Sequence, residues 1–246
     1  MLHKIKDTIL KVQNSYFKSR YFVESQRKYF KSSFALDIET QLRIRALNST
    51  CEFIEQNMSE VPMLQSKKEA LDFALQQVRI DGLYCEFGVF KGGSVNHIAK
   101  TTKKETHAFD SFEGLPEVWL STHKAGHFAL DKLPYFESNV IVHKGWFNET
   151  LPGFIEKYQS PLAFLHIDCD LYSSTKTVFD FLNKQIVKDT IILFDEYFNY
   201  PFWQQHEYKA FMEFTKENQI QFEYLCYSTK TFGSKEVKIT QKKKVC

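Results

Sequence analysis

Carboxylates follow two neighbouring apolar runs in the second half of the sequence, at spacings that suggest metal chemistry. Asp168 and Asp170 follow one run, and Asp195 and Glu196 follow the next. If the backbone is extended there, Asp168 and Asp170 point to the same side of the chain. Carboxylates gathered at low dielectric repel one another, so either their pKa values rise or a cation lies among them. A divalent ion with oxygen ligands, Mg²⁺ first, is the simplest prediction.

A glycine-rich turn in the first half of the sequence indicates a different ligand. The segment is Glu86-Phe87-Gly88-Val89-Phe90-Lys91-Gly92-Gly93-Ser94, and its glycines permit a tight turn and a close approach of the backbone to a ligand. Asp110 ends the next apolar run, where an acid can accept hydrogen bonds from both hydroxyls of a ribose. The turn lacks the spacing of a dinucleotide site, and Glu86 would repel a diphosphate but suit a cationic amino group. S-adenosylmethionine, which carries an ammonium, a sulfonium and no phosphate, fits both features. A glycine-rich turn that binds nothing is the alternative.

Alternating strands and helices are predicted to position these residues. Short apolar runs predict strands at 83–88, 107–110, 140–143, 163–168 and 191–195. A helix that begins at Ser66 with a capping box precedes them, and helical spacing recurs near 92–103, 148–158, 174–187 and 206–218. Alternating runs at 222–227 and 237–240 predict an antiparallel edge hairpin. The predicted fold class is α/β, a Rossmann-like, doubly wound and mostly parallel seven-stranded sheet whose ligands bind beyond the carboxyl ends of the strands.

The composition predicts one large domain with a preceding arm. The 246 residues are 43% hydrophobic, which is enough for a full-sized core. Residues 1–60 are rich in Lys, Arg, Tyr and Phe with apolar positions at helical spacing. We therefore expect a helical arm over residues 1–60, acting as a lid or in oligomerisation, and the α/β domain over residues 61–246.

Charge and cysteine content argue against several classes of protein. Lys and Arg total 32 against 30 for Asp and Glu, so no overall field favours nucleic acid or membrane. The five cysteines are odd in number and widely spaced, which argues against a disulfide framework and a zinc site. No window approaches the roughly 20 apolar residues of a membrane-spanning helix, and the first residues lack the pattern of a secretory signal. We expect a cytoplasmic homo-oligomer with a small-molecule partner and without nucleic-acid or membrane partners.

Individual residues near these motifs have alternative interpretations. Asp170 could cap the helix that comes after it. His166 is more consistent with a buried, hydrogen-bonded core histidine than with a metal ligand. Trp146, after the third strand, either stacks on an adenine or belongs to the core. The connection 111–136 is long for a compact domain and is predicted to be a lid over the ligands.

Four segments, in this order, resemble the macrocin O-methyltransferase-like family, which includes methyltransferases of antibiotic sugars. They are Glu86–Ser94, Phe109–Glu117, His166–Thr175 and Phe194–Tyr197. The resemblance covers about residues 60–230. It implies a class I methyltransferase fold, S-adenosylmethionine as methyl donor, and Mg²⁺ between the ends of the fourth and fifth strands.

Carried over by position, the resemblance implies a role for each site residue. Asp168, Asp195 and Glu196 would hold the metal, and Asp170 would be the general base. The predicted donor-binding residues are Glu86, Phe87, Gly88, Ser94, Asp110, Ser111, Gly145, Trp146 and Asp168. The sequence departs from the pattern at Glu196, where characterised sugar-modifying members tend to have Asp.

The predicted function is therefore Mg²⁺-dependent transfer of a methyl group from S-adenosylmethionine to a hydroxyl of a sugar or related natural product. One alternative is a nucleotide-sugar or dinucleotide-dependent oxidoreductase, which the missing glycine spacing disfavours. Another is a non-catalytic protein whose basic arm binds RNA or an acidic membrane. The basic residues of that arm are Lys4, Lys6, Lys11, Lys18, Arg20, Arg27, Lys28 and Lys31.

Overall fold

Helices and strands alternate along the chain in this computed structural model, which describes residues 37–229, the backbone of residues 233–242 and, apart from these, Glu24. The helices are α1 (Ile38–Asn57), α2 (Lys67–Gln77), α3 (Gly93–Thr102), α4 (Phe147–Lys157), α5 (Tyr172–Leu182) and α6 (Glu207–Glu217), with a short 3₁₀ helix at Trp203–Gln205. The strands are β1 (Met63–Leu64), β2 (Leu83–Phe87), β3 (Thr106–Asp110), β4 (Val140–Lys144), β5 (Leu162–Ile167), β6 (Ile191–Phe198), β7 (Ile220–Ser228) and β8 (Gly233–Lys242).

The strands form one sheet in the order β1-β7-β8-β6-β5-β2-β3-β4. The five strands from β6 to β4 are parallel, and β8 runs antiparallel to both of its neighbours. This confirms the predicted doubly wound, mostly parallel sheet. The seven predicted strands are present, and β1 pairs with β7 as an eighth, so the hairpin lies next to the edge. A strand of two residues is too short to produce a pattern in the sequence.

Two apolar layers bury the faces of the sheet. On one face, Phe87 and Phe109 stack with ring centroids 4.4 Å apart and pack towards α4 and α5. On the other face, Tyr84 and Phe164 pack against alanines of α2. Each fully buried aromatic side chain contributes roughly 1.5–3 kcal/mol relative to an exposed one, so the strands are held by burial on both faces.

Local hydrogen bonds decide where two of the helices begin and end. At the start of α2, the Ser66 hydroxyl accepts from the Glu69 N–H at 3.1 Å, while the Glu69 carboxylate accepts from the Gln65 N–H, one residue earlier than in a standard capping box. Helix α5 ends at Leu182 although helical spacing predicted it to reach 187. The chain turns there because the Gln185 carbonyl accepts from the N–H of Leu162 at the start of β5.

Helix α1, within the predicted arm, is attached to the segment between β6 and α6. The Ser49 hydroxyl accepts from the Trp203 indole N–H at 3.1 Å, and the Thr50 hydroxyl accepts from the Asn199 N–H at 3.0 Å. Phe53 packs edge-on against Trp203. The eight basic residues between positions 4 and 31 lie outside the described residues, and the arm's role as a lid or in oligomerisation stays a prediction.

Two further observations concern the helices and the cysteines. None of the helices in the described ranges is long and apolar enough to cross a membrane. Within these ranges, Cys51, Cys85 and Cys169 are free cysteines.

The buried histidine of β3 predicts a loss of stability at mildly acidic pH. His107 is fully buried against α4, with its Nδ1 3.1 Å from the His143 ring. Burial, together with the neighbouring His143 and Lys157, lowers the pKa of His107 to about 4. Above pH 6.5 the ring is neutral in both folded and unfolded chains. Between pH 6.5 and 4 only the unfolded chain binds the proton, so the free energy of unfolding falls as the pH falls.

We expect this effect to reach on the order of 2 kcal/mol at pH 5. Urea unfolding at pH 7 and pH 5 measures it, and His107→Gln should show a shallower pH dependence than the unmodified protein. His127→Gln, at an exposed position, is the control and should leave the dependence unchanged. Equal pH dependence in His107→Gln would contradict the assignment to His107.

Candidate active site

The register of the sheet brings the predicted site residues to one edge. Phe87 of β2 lies opposite Ile167 of β5, and Ile167 lies opposite Phe194 of β6. The next residue along each of the four central strands therefore lies beside the others: in sheet order these residues are Asp195, Asp168, Gly88 and Asp110, and β6 continues past Asp195 to Phe198. Strand order reverses between β2 and β5, which is where open parallel sheets bind ligands.

A cavity of about 550 Å³ lies beyond these strand ends. Eight of the predicted site residues line it: Gly88, Asp110, Ser111, Trp146, Asp168, Asp170, Asp195 and Glu196. The glycine turn after β2 and the acid cluster, which consists of Asp168, Asp170, Asp195 and Glu196, thus line the same cavity. Glu86, Phe87, Ser94 and Gly145 are not among the lining residues.

The turn after β2 depends on glycine at one position. Gly88 has φ +86°, and a Cβ there would lie 1.8 Å from the carbonyl oxygen of Asp168. The Gly88 N–H donates to the Phe109 carbonyl at 3.0 Å. Since a side chain would collide with β5, glycine allows β2 and β5 to stay in contact at the cavity.

Asp110 fastens the same turn to β3. One carboxylate oxygen accepts from the N–H groups of Val89 and Phe90 at 2.7 and 2.8 Å, and the other accepts from the Phe112 N–H at 2.7 Å. The side chain still lines the cavity, so it can both hold the turn and face a ligand.

Glu86 lies beneath the turn rather than at the cavity. It is fully buried, accepts from the Ser94 hydroxyl at 2.7 Å and lies 3.0 Å from Nδ1 of His166. His166 is itself buried, in agreement with its interpretation as a core histidine. Glu86 and Ser94 therefore join β2, α3 and β5 and support the turn from below.

Three carboxylates form the predicted metal group. One oxygen each of Asp168, Asp195 and Glu196 lies within 4.8 Å of the others. Burial, reinforced by Asp195, raises the pKa of Asp168 and of Glu196 well above the ordinary carboxyl value. Oε2 of Glu196 is buried without a hydrogen-bond partner in the described part of the chain. Hard oxygen donors with an unsatisfied buried oxygen fit a divalent cation.

Lys67 contacts this group, which sequence reasoning did not foresee. Its ammonium forms ion pairs with Asp195 and with Oε1 of Glu196, the latter at 2.9 Å. Burial opposes the lysine charge, but the two carboxylates outweigh it and raise the pKa of Lys67. The one available signal was a lysine in the first turn of α2, where the helix dipole disfavours a cation.

Asp170 is held in an unusual backbone conformation by a second unforeseen residue. Asp170 has φ +63°, and its N–H donates to the carboxylate of Glu207 at 3.1 Å. The other oxygen of Glu207 accepts from the Glu196 N–H at 3.3 Å, so one fully buried carboxylate ties together the ends of β5 and β6. Burial and Asp195, opposed by Lys67, raise the pKa of Asp170 to about 7.

The alternative role of Asp170 as a helix cap is not observed. Helix α5 begins after Leu171 and has no side-chain cap. Asp170 is instead one of the residues that line the cavity.

The connection after β3, residues 111–136, forms part of the wall of the cavity and is called the cover below; its role as a lid over the ligands stays a prediction. Leu115, Trp119 and Phe128 of this segment line the cavity. The segment is closed on itself by a hydrogen bond from the Leu115 N–H to the His127 carbonyl, and the Ser173 hydroxyl of α5 donates to its Glu117 at 2.6 Å. It is thus a folded cover anchored on α5.

Two aromatic residues, Trp146 and Phe147, follow β4 and differ in what they contact. Trp146 and Phe147 line the cavity. Phe147 also packs edge-on against Phe87 with ring centroids 5.2 Å apart. One ring therefore joins the core while Trp146 stays available to a ligand.

This sheet order, with the glycine turn after its first long strand and acids at the following strand ends, defines the fold of class I methyltransferases. Residues 85–197 match the family model of a methyltransferase domain. This part of the chain is therefore similar to methyltransferase domains.

Individual relatives agree with the resemblance of the sequence to sugar O-methyltransferases. The 8-demethyl-8-(2,3-dimethoxy-alpha-L-rhamnosyl)-tetracenomycin-C 4'-O-methyltransferase of Streptomyces olivaceus is 27% identical over 155 residues, which cover 52% of this chain and 58% of that protein. The match thus spans just over half of the length of that relative.

Solved structures show the same fold. The calicheamicin methyltransferase CalS11 superposes with a TM-score of 0.58 at 21% identity, over 69% of this chain and 77% of that one. The O-methyltransferase NovP superposes with a TM-score of 0.54 at 20% identity, over 70% of this chain and 80% of that one.

The buried carboxylate of Glu207 yields a prediction about stability. In Glu207→Gln an amide NH₂ group replaces one of the two carboxylate oxygens that accept backbone N–H groups. Two buried N–H donors would then face each other without an acceptor. We expect the free energy of unfolding to fall by roughly 1–3 kcal/mol. Urea unfolding measures this change, and Glu217→Gln, exposed on the same helix, should stay within about 0.5 kcal/mol of the unmodified protein. An unchanged stability of Glu207→Gln would show that this carboxylate does not hold the two strand ends.

Proposed function

We propose that this protein transfers a methyl group from S-adenosylmethionine to a hydroxyl of a sugar or related small natural product. The observation that carries the proposal is that one cavity joins the glycine turn and Asp110 with the acid cluster. A methyl donor bound at the turn and a hydroxyl bound at the acids would lie next to each other, as in-line transfer requires.

The turn side of the cavity has the groups that the donor needs. Backbone at Gly88 can approach the donor closely because no side chain intervenes. Asp110 faces the cavity and can accept from ribose hydroxyls, and Trp146 offers a ring for the adenine. The backbone carbonyl of Asp168 lies next to Gly88 and would accept from the donor ammonium, whereas Glu86 would act by supporting the turn.

The acid side would hold the acceptor and remove its proton. Asp168, Asp195 and Glu196 would hold Mg²⁺, which when bound supplies positive charge that lowers the pKa of an acceptor hydroxyl. Asp170 lies in the same cavity and would take the proton as the methyl group is transferred. The hydrogen bond from its N–H to Glu207 keeps Asp170 in place for this step.

A sugar acceptor is supported by the lining of the cavity and by the relatives. Hydroxyl side chains of α5, Ser173, Ser174 and Thr177, form one wall, and Trp119 and Leu115 of the cover form another. Hydroxyls suit sugar hydroxyls, and an aromatic ring suits the apolar face of a sugar. The Streptomyces olivaceus relative is named as acting on a rhamnosyl group, so deoxyhexoses are the first acceptors to test. Action in the cytoplasm as a homo-oligomer remains a prediction from the sequence.

Calorimetry with the metal-free protein tests the donor. We expect S-adenosylmethionine to bind and NAD not to bind, because the turn has no diphosphate-binding glycine pattern. Addition of Mg²⁺ should leave donor affinity within about threefold, since the metal lies on the acceptor side. Binding of NAD without binding of S-adenosylmethionine would instead favour the oxidoreductase interpretation.

Asp170→Asn tests the base. Asparagine tolerates the left-handed backbone at this position, so the variant should keep its fold and its affinity for the donor. Transfer of labelled methyl to a rhamnose-containing acceptor should fall about 10²–10⁴-fold. Asp180→Asn, exposed on α5, should retain full activity. Undiminished turnover in Asp170→Asn would remove Asp170 from its proposed role.

A further inference from the structure

The acid cluster contains a positive charge that belongs to the protein, and its position suggests a function. We propose that Lys67 is a tethered competitor of the divalent ion: it neutralises Asp195 and Glu196 when no ion is bound, and it must leave them when an ion binds. This inference rests on the proposed metal site.

The geometry makes simultaneous occupation unfavourable. The Lys67 ammonium contacts Asp195 and Glu196, two of the three proposed ligands. A divalent ion on the same oxygens would lie within a few ångströms of the ammonium, and like charges repel strongly in a half-buried site. One of the two cations therefore has to move.

Lys67 can move because it is attached at the rim of the site. It is the first residue of α2, and its side chain is 38% exposed, compared with 15% for Asp195 and 10% for Glu196. The carboxylates are embedded in the sheet, whereas the lysine has a flexible four-carbon stem that can turn towards solvent. Displacement of Lys67 thus leaves the ligands where they are.

The ion pair is not needed to build α2. A cation in the first turn opposes the helix dipole. The next residue, Lys68, forms an ordinary pair within the helix with Asp72 at 2.6 Å, away from the acid cluster. The side chain of Lys67 instead pairs with Asp195 and Glu196 of β6, which indicates that its charge stabilises the acid cluster rather than the helix.

The ammonium satisfies the cluster incompletely. It contacts Oε1 of Glu196 and leaves Oε2 of the same carboxylate buried without a partner in the described residues. Within the described ranges, the ion pairs of Lys67 are with Asp195 and Glu196 and do not include Asp168, the third member of the group. A divalent ion takes more oxygen ligands than an ammonium has donors, so it can replace Lys67 and satisfy what Lys67 leaves open.

Calorimetric titration of Mg²⁺ into the metal-free full chain, without donor, tests the competition. We expect Lys67→Met to bind Mg²⁺ about tenfold more tightly than the unmodified protein. Lys67→Arg, which keeps the charge, and Lys68→Met, the neighbouring matched control, should bind as the unmodified protein does. Equal or weaker binding by Lys67→Met would overturn the proposal, because a competitor's removal must strengthen binding.

Amine labelling of the unmodified protein provides a second test that needs no variant. Reductive methylation followed by mass spectrometry reports how accessible each lysine is. We expect labelling of Lys67 to rise several-fold on addition of Mg²⁺ while labelling of Lys68 stays constant. Unchanged labelling of Lys67 at Mg²⁺ concentrations that saturate the calorimetric signal would overturn the displacement.

The two proposals can fail separately. If neither the unmodified protein nor Lys67→Met binds Mg²⁺, while both bind S-adenosylmethionine, the displacement and the metal site are wrong and methyl transfer still stands. If S-adenosylmethionine does not bind either protein, the proposed function fails, and tighter Mg²⁺ binding by Lys67→Met would still support the competition.

Discussion

Repulsion among carboxylates at the ends of β5 and β6 is the constraint on which the site depends. The parallel register makes Asp168 and Asp195 neighbours; Glu196 comes directly after Asp195, and Asp170 lies two residues after Asp168. Such a group is stable only if the pKa values of its acids rise or if a cation lies among them. The structure uses both means, since burial raises the pKa of Asp170 and Lys67 supplies a charge. A site with a resident ammonium and an unsatisfied oxygen is organised for exchange of one cation for another.

Carboxylates also shape the backbone around this group. Asp110 accepts three N–H groups and thereby holds the glycine turn against β3. Glu207 accepts two N–H groups and holds the ends of β5 and β6 together. Both halves of the cavity are therefore built in the same way. In each half, a carboxylate accepts hydrogen bonds from backbone N–H groups that have no partner in the sheet. Donor and acceptor regions keep a common geometry because both acids are attached to one sheet.

Local patterns in the sequence were enough for most of the fold. The alternation of short apolar runs with helical spacing predicts strands and helices in their observed order, and Ser66 marks the start of α2. The two-residue β1 and the early end of α5 were missed, since both arise from pairing with distant backbone at β7 and β5. Glu86 was expected to face the donor, but strand alternation alone does not say whether a side chain reaches a cavity or lies beneath it.

By itself, the sequence determined which chemical groups lie at the end of each strand, because these groups are the next residues along the chain: Gly88, Asp110, Asp168 and Asp195 all lie at the predicted edge. Only the tertiary structure decided which side chains complete the cluster. Lys67 is 128 positions from Asp195, and Glu207 is 37 positions from Asp170. Such contacts depend on how α2 and α6 pack across the sheet, and that packing is driven by non-directional burial of apolar surface, which leaves no local pattern in the chain.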